Sequence, residues 1–282
     1  MKPRLVLALL AGTVGGIIIL VSGCCICWGW RGQEQYERTE SFSAAMEGVE
    51  RISVDTSFGD IKIIGADTND CNVIAVITGQ APTAEEAKQL AEQTRITLET
   101  DGNTLVVKVD KPHLKRNRSI GISYDIVVLK QTGIKCQSSY GYIKIVNIEG
   151  AIESHTSYGD VIADNITGRM QLETSYGDVD CKQITSSDFT AKSSFGDIAV
   201  DFSDICPEAL KAGIKTSYGD IVMDAPSNFA GDVSLETSFG KIRTEVPITV
   251  KGEFGKDHLK GTIGEGAGKL DLKTSFGSVT IK

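Results

Sequence analysis

Between Ile152 and Val200 one phrase occurs three times: Thr156-Ser157-Tyr158-Gly159-Asp160-Val161, Thr174-Ser175-Tyr176-Gly177-Asp178-Val179 and Ser193-Ser194-Phe195-Gly196-Asp197-Ile198. Extended outward as Ser, then Tyr or Phe, then Gly, any residue, and Ile or Val, it occurs eight times, with its aromatic at Phe58, Tyr140, Tyr158, Tyr176, Phe195, Tyr218, Phe239 and Phe276. The spacings are 82, 18, 18, 19, 23, 21 and 37, so a regular middle is flanked by interrupted ends. A period near 20 is the mark of a solenoid, whose coils bury their apolar faces only against one another.

The columns around the aromatic describe the coil. Six residues before it stand Ile52, Ile134, Ile152, Met170, Phe189, Ala212, Val233 and Leu270; four and two before it the residues are again apolar or small. Period two predicts a strand with one face inward. Beyond the Gly the parity slips by one, as in Ile61 and Ile63 or Val161 and Ala163, so the Gly marks a bend that a side chain would forbid. Ile148 with Gly150 and Ile166 with Gly168 mark the return corner. The predicted fold is all-β: a single-chain parallel β-solenoid with coils of 18–23 residues, stacked in sequence order, with its aromatic ladder packed in the core or at a corner.

The chain begins Met1-Lys2-Pro3-Arg4 and then runs without a charge from Leu5 to Trp30, which predicts export or anchoring over residues 1–30. Two readings stay open. Val21-Ser22-Gly23-Cys24 matches a lipoprotein signal with Cys24 lipidated, whereas the length of the run and the apolar residues after Cys24 fit an uncleaved membrane helix. Either places the rest of the chain on the extracytoplasmic side, in the cell envelope. Residues 31–50 read as a linker and 51–282 as the solenoid domain, irregular over 51–133 and regular over 134–282. Within the irregular part Thr83 caps a helix over 83–94 and Glu86 closes a capping box; the helix is expected to cover the N-terminal end of the stack. Asp101-Gly102-Asn103 is a hairpin turn, residues 206–211 form a helical turn, and Ile248, Val250, Gly252, Phe254 and Gly255 form a degenerate ninth copy. The chain stops at Ile281-Lys282 in strand register, which predicts an open edge at Val279–Ile281.

The helix Ala81-Pro82-Thr83-Ala84-Glu85-Glu86-Ala87 after a strand, the Asp101-Gly102-Asn103-Thr104-Leu105 turn, the Tyr124-Asp125-Ile126 strand and the terminal phrase from Leu270 to Ile281 carry a resemblance. Over about residues 50–282 the chain resembles the "putative adhesin" family of bacterial envelope proteins. The resemblance implies a β-solenoid domain, and adhesion by analogy of architecture. Its Tyr and Phe ladder departs from that family's repeat, which usually carries a small residue there.

Chemistry is sparse. The carboxylates Asp160, Asp178, Asp197 and Asp220, with Asp60, form a column that could hold calcium; the period of a calcium-binding roll is absent, and bonding to the backbone of each residue's own turn is the favoured reading. Cys136 and Cys181 fall in inward columns, while Cys71 and Cys206 leave a disulfide open. His113, His155 and His258 are scattered, and no catalytic motif or cofactor fingerprint occurs. A net charge of −8 and a pI near 5.0 argue against nucleic acid, and the basic run Lys111, Lys115, Arg116 and Arg118 reads as a solvated loop. The sequence thus points to a non-enzymatic, membrane-anchored envelope module without cofactor, whose partner is a cell-wall or surface glycan or an envelope protein. The alternatives are a carbohydrate-active enzyme on a short β-helix, or an envelope sensor acting through a membrane partner.

Overall fold

The computed structural model describes residues 32–251 and 255–282. The anchor or signal over 1–30, with Cys24, and Gly252 and Phe254 of the expected ninth copy lie outside the described residues. Among the described residues no helix is long and apolar enough to cross a membrane.

The irregular part comprises β1 (Glu34–Ala45), β2 (Arg51–Phe58), β3 (Ile61–Ala66), β4 (Asp70–Ala81), α1 (Ala84–Gln93), β5 (Arg95–Asp101), β6 (Thr104–Asp110) and β7 (Ser119–Leu129). Strand pairs then follow, each hinged at one copy of the phrase: β8 (Gly133–Tyr140) and β9 (Ile143–Ile148), β10 (Ile152–Tyr158) and β11 (Val161–Thr167), β12 (Met170–Tyr176) and β13 (Val179–Thr185), β14 (Asp188–Phe195) and β15 (Ile198–Phe202), β16 (Lys211–Lys215) and β17 (Ile221–Asp224), β18 (Gly231–Phe239) and β19 (Ile242–Thr244). After β20 (Thr249–Val250) and β21 (His258–Ile263), the last pair is β22 (Gly268–Phe276) and β23 (Val279–Ile281).

The first strands of the pairs form one sheet, ordered β20-β21-β18-β22-β16-β14-β12-β10-β8-β2-β6-β5, and the second strands another, ordered β1-β4-β7-β3-β9-β11-β13-β15-β17-β23-β19. Pairing through the coils is parallel and in register on the phrase: Tyr158 sits between Tyr140 and Tyr176, and Val161 between Ile143 and Val179. The predicted inward columns fill the space between the sheets, with Ile52, Ile61, Ile63, Val161, Leu172, Ile198 and Leu270 fully buried. At about 25 cal/mol per Å² this burial is the main stabilising term, and each coil contributes it only with its neighbours in place.

Several expectations are corrected. The segment 31–50 holds β1, whose twelve residues pair antiparallel with β4. The stack does not follow chain order at its end: β22 and β23 insert between the coil of Tyr218 and that of Phe239. Val279–Ile281 is therefore an interior strand between β17 and β19, and among the described residues β19 is the edge of this sheet at that end. Residues 248–250 make no ninth coil, because β21 pairs antiparallel with β18 and β20 antiparallel with β21 on its outer side. The sequence 206–211 makes a single turn, closed by Leu210 N to Pro207 O, in place of a helical turn; it follows a turn closed by Cys206 N to Ser203 O, and the Cys206 sulfur ties the chain there to the Ser186 amide and the Ile184 carbonyl.

At the N-terminal end α1 packs on β4 and β1, burying Ala87, Leu90 and Ala91. Thr83 caps it by accepting from the Glu86 amide, but the Glu86 carboxylate turns to Arg118, 2.5 Å away, so the reciprocal half of the capping box is replaced by an ion pair. Gly79 lets the helix approach, since a Cβ there would lie 2.1 Å from the Ala87 carbonyl oxygen. The closure is wider than a helix alone: β7, β4 and β1 pair antiparallel beside α1, and β5 ends the other sheet.

Candidate functional site

Each residue of the phrase Thr-Ser-aromatic-Gly-Asp has a distinct place at the corner joining the two sheets. The hydroxyl two positions before the aromatic is buried and donates to the carbonyl of the corner Gly in the neighbouring coil. Thr156 reaches Gly141 O at 3.1 Å, Thr174 reaches Gly159 O at 2.9 Å, and Thr274 reaches Gly219 O at 2.9 Å. The same bond recurs from Ser193 to Gly177 O and from Thr216 to Gly196 O. A buried carbonyl without a partner costs about 1–3 kcal/mol, so this column is fixed by hydrogen bonding as well as by size.

The corner Gly itself is required twice over. Gly159 has φ +149°, and a Cβ on it would stand 2.2 Å from Gly141 O. The Asp column bonds between coils, which corrects the expectation of a bond within each turn. Asp160 Oδ1 accepts from the Asp178 amide at 2.9 Å, Asp178 from Asp197 at 2.8 Å, Asp197 from Asp220 at 2.7 Å, and Asp220 from Ser278 at 2.7 Å. Asp60 serves the Tyr142 amide at 3.1 Å in the same way. Among the described residues no three His, Cys, Asp or Glu side chains converge as a metal ion would need.

The aromatic column lies outside the core, at the corner. Its rings stack in the order Phe58, Tyr140, Tyr158, Tyr176, Phe195, Tyr218, Phe276, Phe239, with centroids 4.7–4.9 Å apart and planes within 9° of parallel. Ring carbons meet at about 3.5 Å, so strand spacing forces neighbouring rings to slip by roughly 3 Å, the offset arrangement that aromatic quadrupoles favour. Seven of the residues remain 44–48% exposed and Phe239, at the end, 70%. Stacking covers the ring faces, and what solvent meets is a strip of ring edges and phenol hydroxyls about 34 Å long. Sugars pack on ring faces; of the two terminal rings among the described residues, Phe239 opens its outer face, whereas Phe58 is no more exposed than the rings between them.

The other singled-out residues are dispersed. His155 lies in the row between Gln137 and Glu173 on the outer sheet face, and His258 pairs with Asp257 at 2.8 Å. Cys71, Cys136, Cys181 and Cys206 are buried free thiols. Burial pushes Cys71 and Cys136 up to about 12, and Cys181 further still. Cys206 uses its sulfur locally, accepting from the Ser186 amide and donating to Ile184 O. Lys111, Lys115 and Arg116 stay in the loop after β6, whereas Arg118 is engaged by Glu86.

One feature of the coils escaped the sequence reading. Asn147, Asn165 and Gln183 all have φ between +52° and +58°, and the Asn165 side-chain amide donates to Asn147 Oδ1 at 2.8 Å. Asn at the seventh position past Tyr140 and Tyr158 was the available signal, since Asn tolerates the left-handed conformation. Asn147 and Asn165 line, with Lys130, Glu149 and Thr167, an open polar depression of about 330 Å³.

The family profile described as Toastrack DUF4097 matches residues 95–282. Among solved structures, a "putative cell adhesion protein" from Clostridium sporogenes is 14% identical, over 88% of this chain and 99% of that one, with a TM-score of 0.38. A "putative adhesin" from Bacteroides fragilis is 13% identical over 86% and 97%, with a TM-score of 0.41. A "putative lipid binding protein" from Parabacteroides distasonis is 13% identical over 86% and 96%, with a TM-score of 0.32. No curated protein matches the chain.

Proposed function

We propose that this chain, which belongs to the Toastrack DUF4097 family, is a non-enzymatic binding and structural module of the cell envelope, working through its aromatic corner. The observation that carries this reading is the exposure of the ladder. The Thr, Gly and Asp of the phrase are each engaged in holding coil to coil, as Thr174, Gly177 and Asp178 are. The ring edges answer to nothing inside the fold. Eight exposed aromatics in one strip exceed the apolar patches of ordinary soluble surfaces and mark a contact surface.

The N-terminal run from Leu5 to Trp30, behind Lys2 and Arg4, supports attachment to a membrane with the coils on the extracytoplasmic side. The test is a binding screen of the full chain in detergent against cell-wall polymers, surface glycans and envelope proteins, with calcium and with chelator. Binding without turnover is expected. Cleavage of a glycan would replace this reading with the carbohydrate-active enzyme, and calcium-dependent binding would make the column of Asp160, Asp178, Asp197 and Asp220 part of the site.

A further inference from the structure

We infer that the partner of the aromatic corner is a second copy of this chain, docked ladder to ladder and antiparallel; this rests on the reading of that corner as the contact surface. The eight ring residues expose between 44% and 70% of their surface. At roughly 200 Å² per aromatic residue this amounts to about 800 Å² in one strip. Two facing strips would bury about 1,600 Å², the size of a standard stable protein interface. Tyr and Phe are also the residues enriched at the cores of such interfaces, and Tyr supplies a hydroxyl at its edge that a rim can hydrogen-bond.

The strip repeats every 4.7–4.9 Å along a straight stack. A two-fold axis therefore sets each ring edge of one copy against a ring edge of the other, and the contact closes on itself with no free ladder left over. A glycan would instead need the ring faces, which stacking has covered along the whole strip up to Phe239.

The N-terminal end of the fold fixes the direction. Ile61, at the corner, shares its row with Tyr124, Ala75 and Glu40 across β3, β7, β4 and β1. Those last three strands continue five residues further, to the row of Ser119, Gln80 and Gln35, which carries the sheet about 17 Å past the corner at the Phe58 end of the ladder. The phrase's parity slip at Gly is absent from β7, where Ile120, Ile122, Tyr124 and Ile126 alternate inward without interruption, so the strand runs on where the coils bend. Two copies with ladders pointing the same way would drive these two walls into one space. Antiparallel copies place each wall beyond the partner's Phe239, with the two-fold axis passing between Tyr176 and Phe195, the middle of the eight rings. This arrangement also sets the two Asp columns on the same side of the contact, so association strengthens as salt screens them.

The experiment is photo-crosslinking of the full chain in membranes, with p-benzoylphenylalanine introduced separately at Tyr176, at Tyr140 and, as a control on the outer face of the other sheet, at Asp180. The expected result is a covalent dimer from position 176 linked to residues near 176–195 of the other copy, a dimer from 140 linked near Phe276, and none from 180. Phe195→Asp should cut the yield from position 176 at least tenfold while its far-UV circular dichroism stays unchanged. A link from position 140 to the same position of the second copy would overturn the antiparallel arrangement. Links from 176 only to other proteins or to a wall polymer would overturn the second copy as partner and leave the proposed binding surface standing. A folded chain giving no link at all from 176 would overturn both.

Discussion

Replacing Gly159 by alanine puts a Cβ 2.2 Å from the carbonyl oxygen of Gly141 and 2.5 Å from its carbon, at a φ of +149°. Ordinary contact begins at about 3.5 Å, so the two coils must separate locally by more than an ångström. That movement pulls on the Gly141 amide bonded to Tyr158 O at 2.9 Å and on the Thr156 hydroxyl bonded to Gly141 O at 3.1 Å. The backbone conformation costs a side-chain-bearing residue about 1–3 kcal/mol, and forced overpacking costs about 1–3 kcal/mol more. The sum is roughly 4 kcal/mol, which for a chain of this size lowers the melting temperature by roughly 8–16 °C. Ser157→Ala, two positions away on the half-exposed side of the same corner, should change stability by no more than about 0.5 kcal/mol. Thermal unfolding of the two variants beside the parent tests this, and hydrogen exchange should place the weakening in the coils of Tyr140, Tyr158 and Tyr176, because coupling in a solenoid is between neighbours. Melts of the two variants within about 2 °C of each other would refute the corner geometry.

Asp178→Ala removes the acceptor of the Asp197 amide and should cost about 1 kcal/mol by urea unfolding, whereas Asp178→Asn keeps a side-chain carbonyl and should cost less than half of that; adding calcium to the parent should leave its melting temperature in place. Val279→Asp sets a carboxylate into a fully buried position between β17 and β19, so it should abolish soluble folded protein, an outcome that a frayed terminal edge would not produce. The four thiols of the coils should resist a thiol reagent at pH 8 until denaturant is added. Folding holds Cys71 and Cys136 as neutral thiols up to about 12, against 9.0 for the exposed group. Their contribution is therefore complete below pH 9 and is lost as pH rises toward 12, and Cys136→Val should flatten the fall of the urea midpoint across that window.

Most of the coil was legible in the sequence because its physics is local and repeated. The inward columns, the slip at Gly and the cap at Thr83 each follow from a rule acting over a few residues, and all stand where the columns put them. The order of stacking was not legible. The phrases at Tyr218, Phe239 and Phe276 are nearly identical, so nothing local says that β22 enters between β16 and β18. Strand β1 was hidden for a related reason: its residues Glu34–Ala45 are mostly polar and pair at the outer edge of a sheet, where one buried position, Glu40, meets Arg38 at 2.6 Å, and no apolar alternation develops. The ladder was legible as a column of aromatics but not as a surface. Whether a column points in or out depends on how sharply the chain turns at Gly, and that turn is set by the carbonyl of the neighbouring coil. The Asp column failed in the same way, since an Asp beside a Gly looks like a turn residue until the next coil's amide is seen to reach it.

The measurement that bears most directly on the proposed role of the ladder is envelope binding by the full chain carrying Tyr158→Ser and Tyr176→Ser together, compared with the parent. Two rings at the middle of the strip are lost, with about 1 kcal/mol of stacking for each broken pair, while the buried Thr156 and Thr174, Gly159 and Gly177, and the Asp ladder stay in place. The account predicts a folded variant, melting roughly 6–12 °C lower, that has lost the association made through the aromatic corner. A variant that binds as the parent does would show that the exposed ladder is packing at a corner and that the contact surface lies elsewhere on the coils.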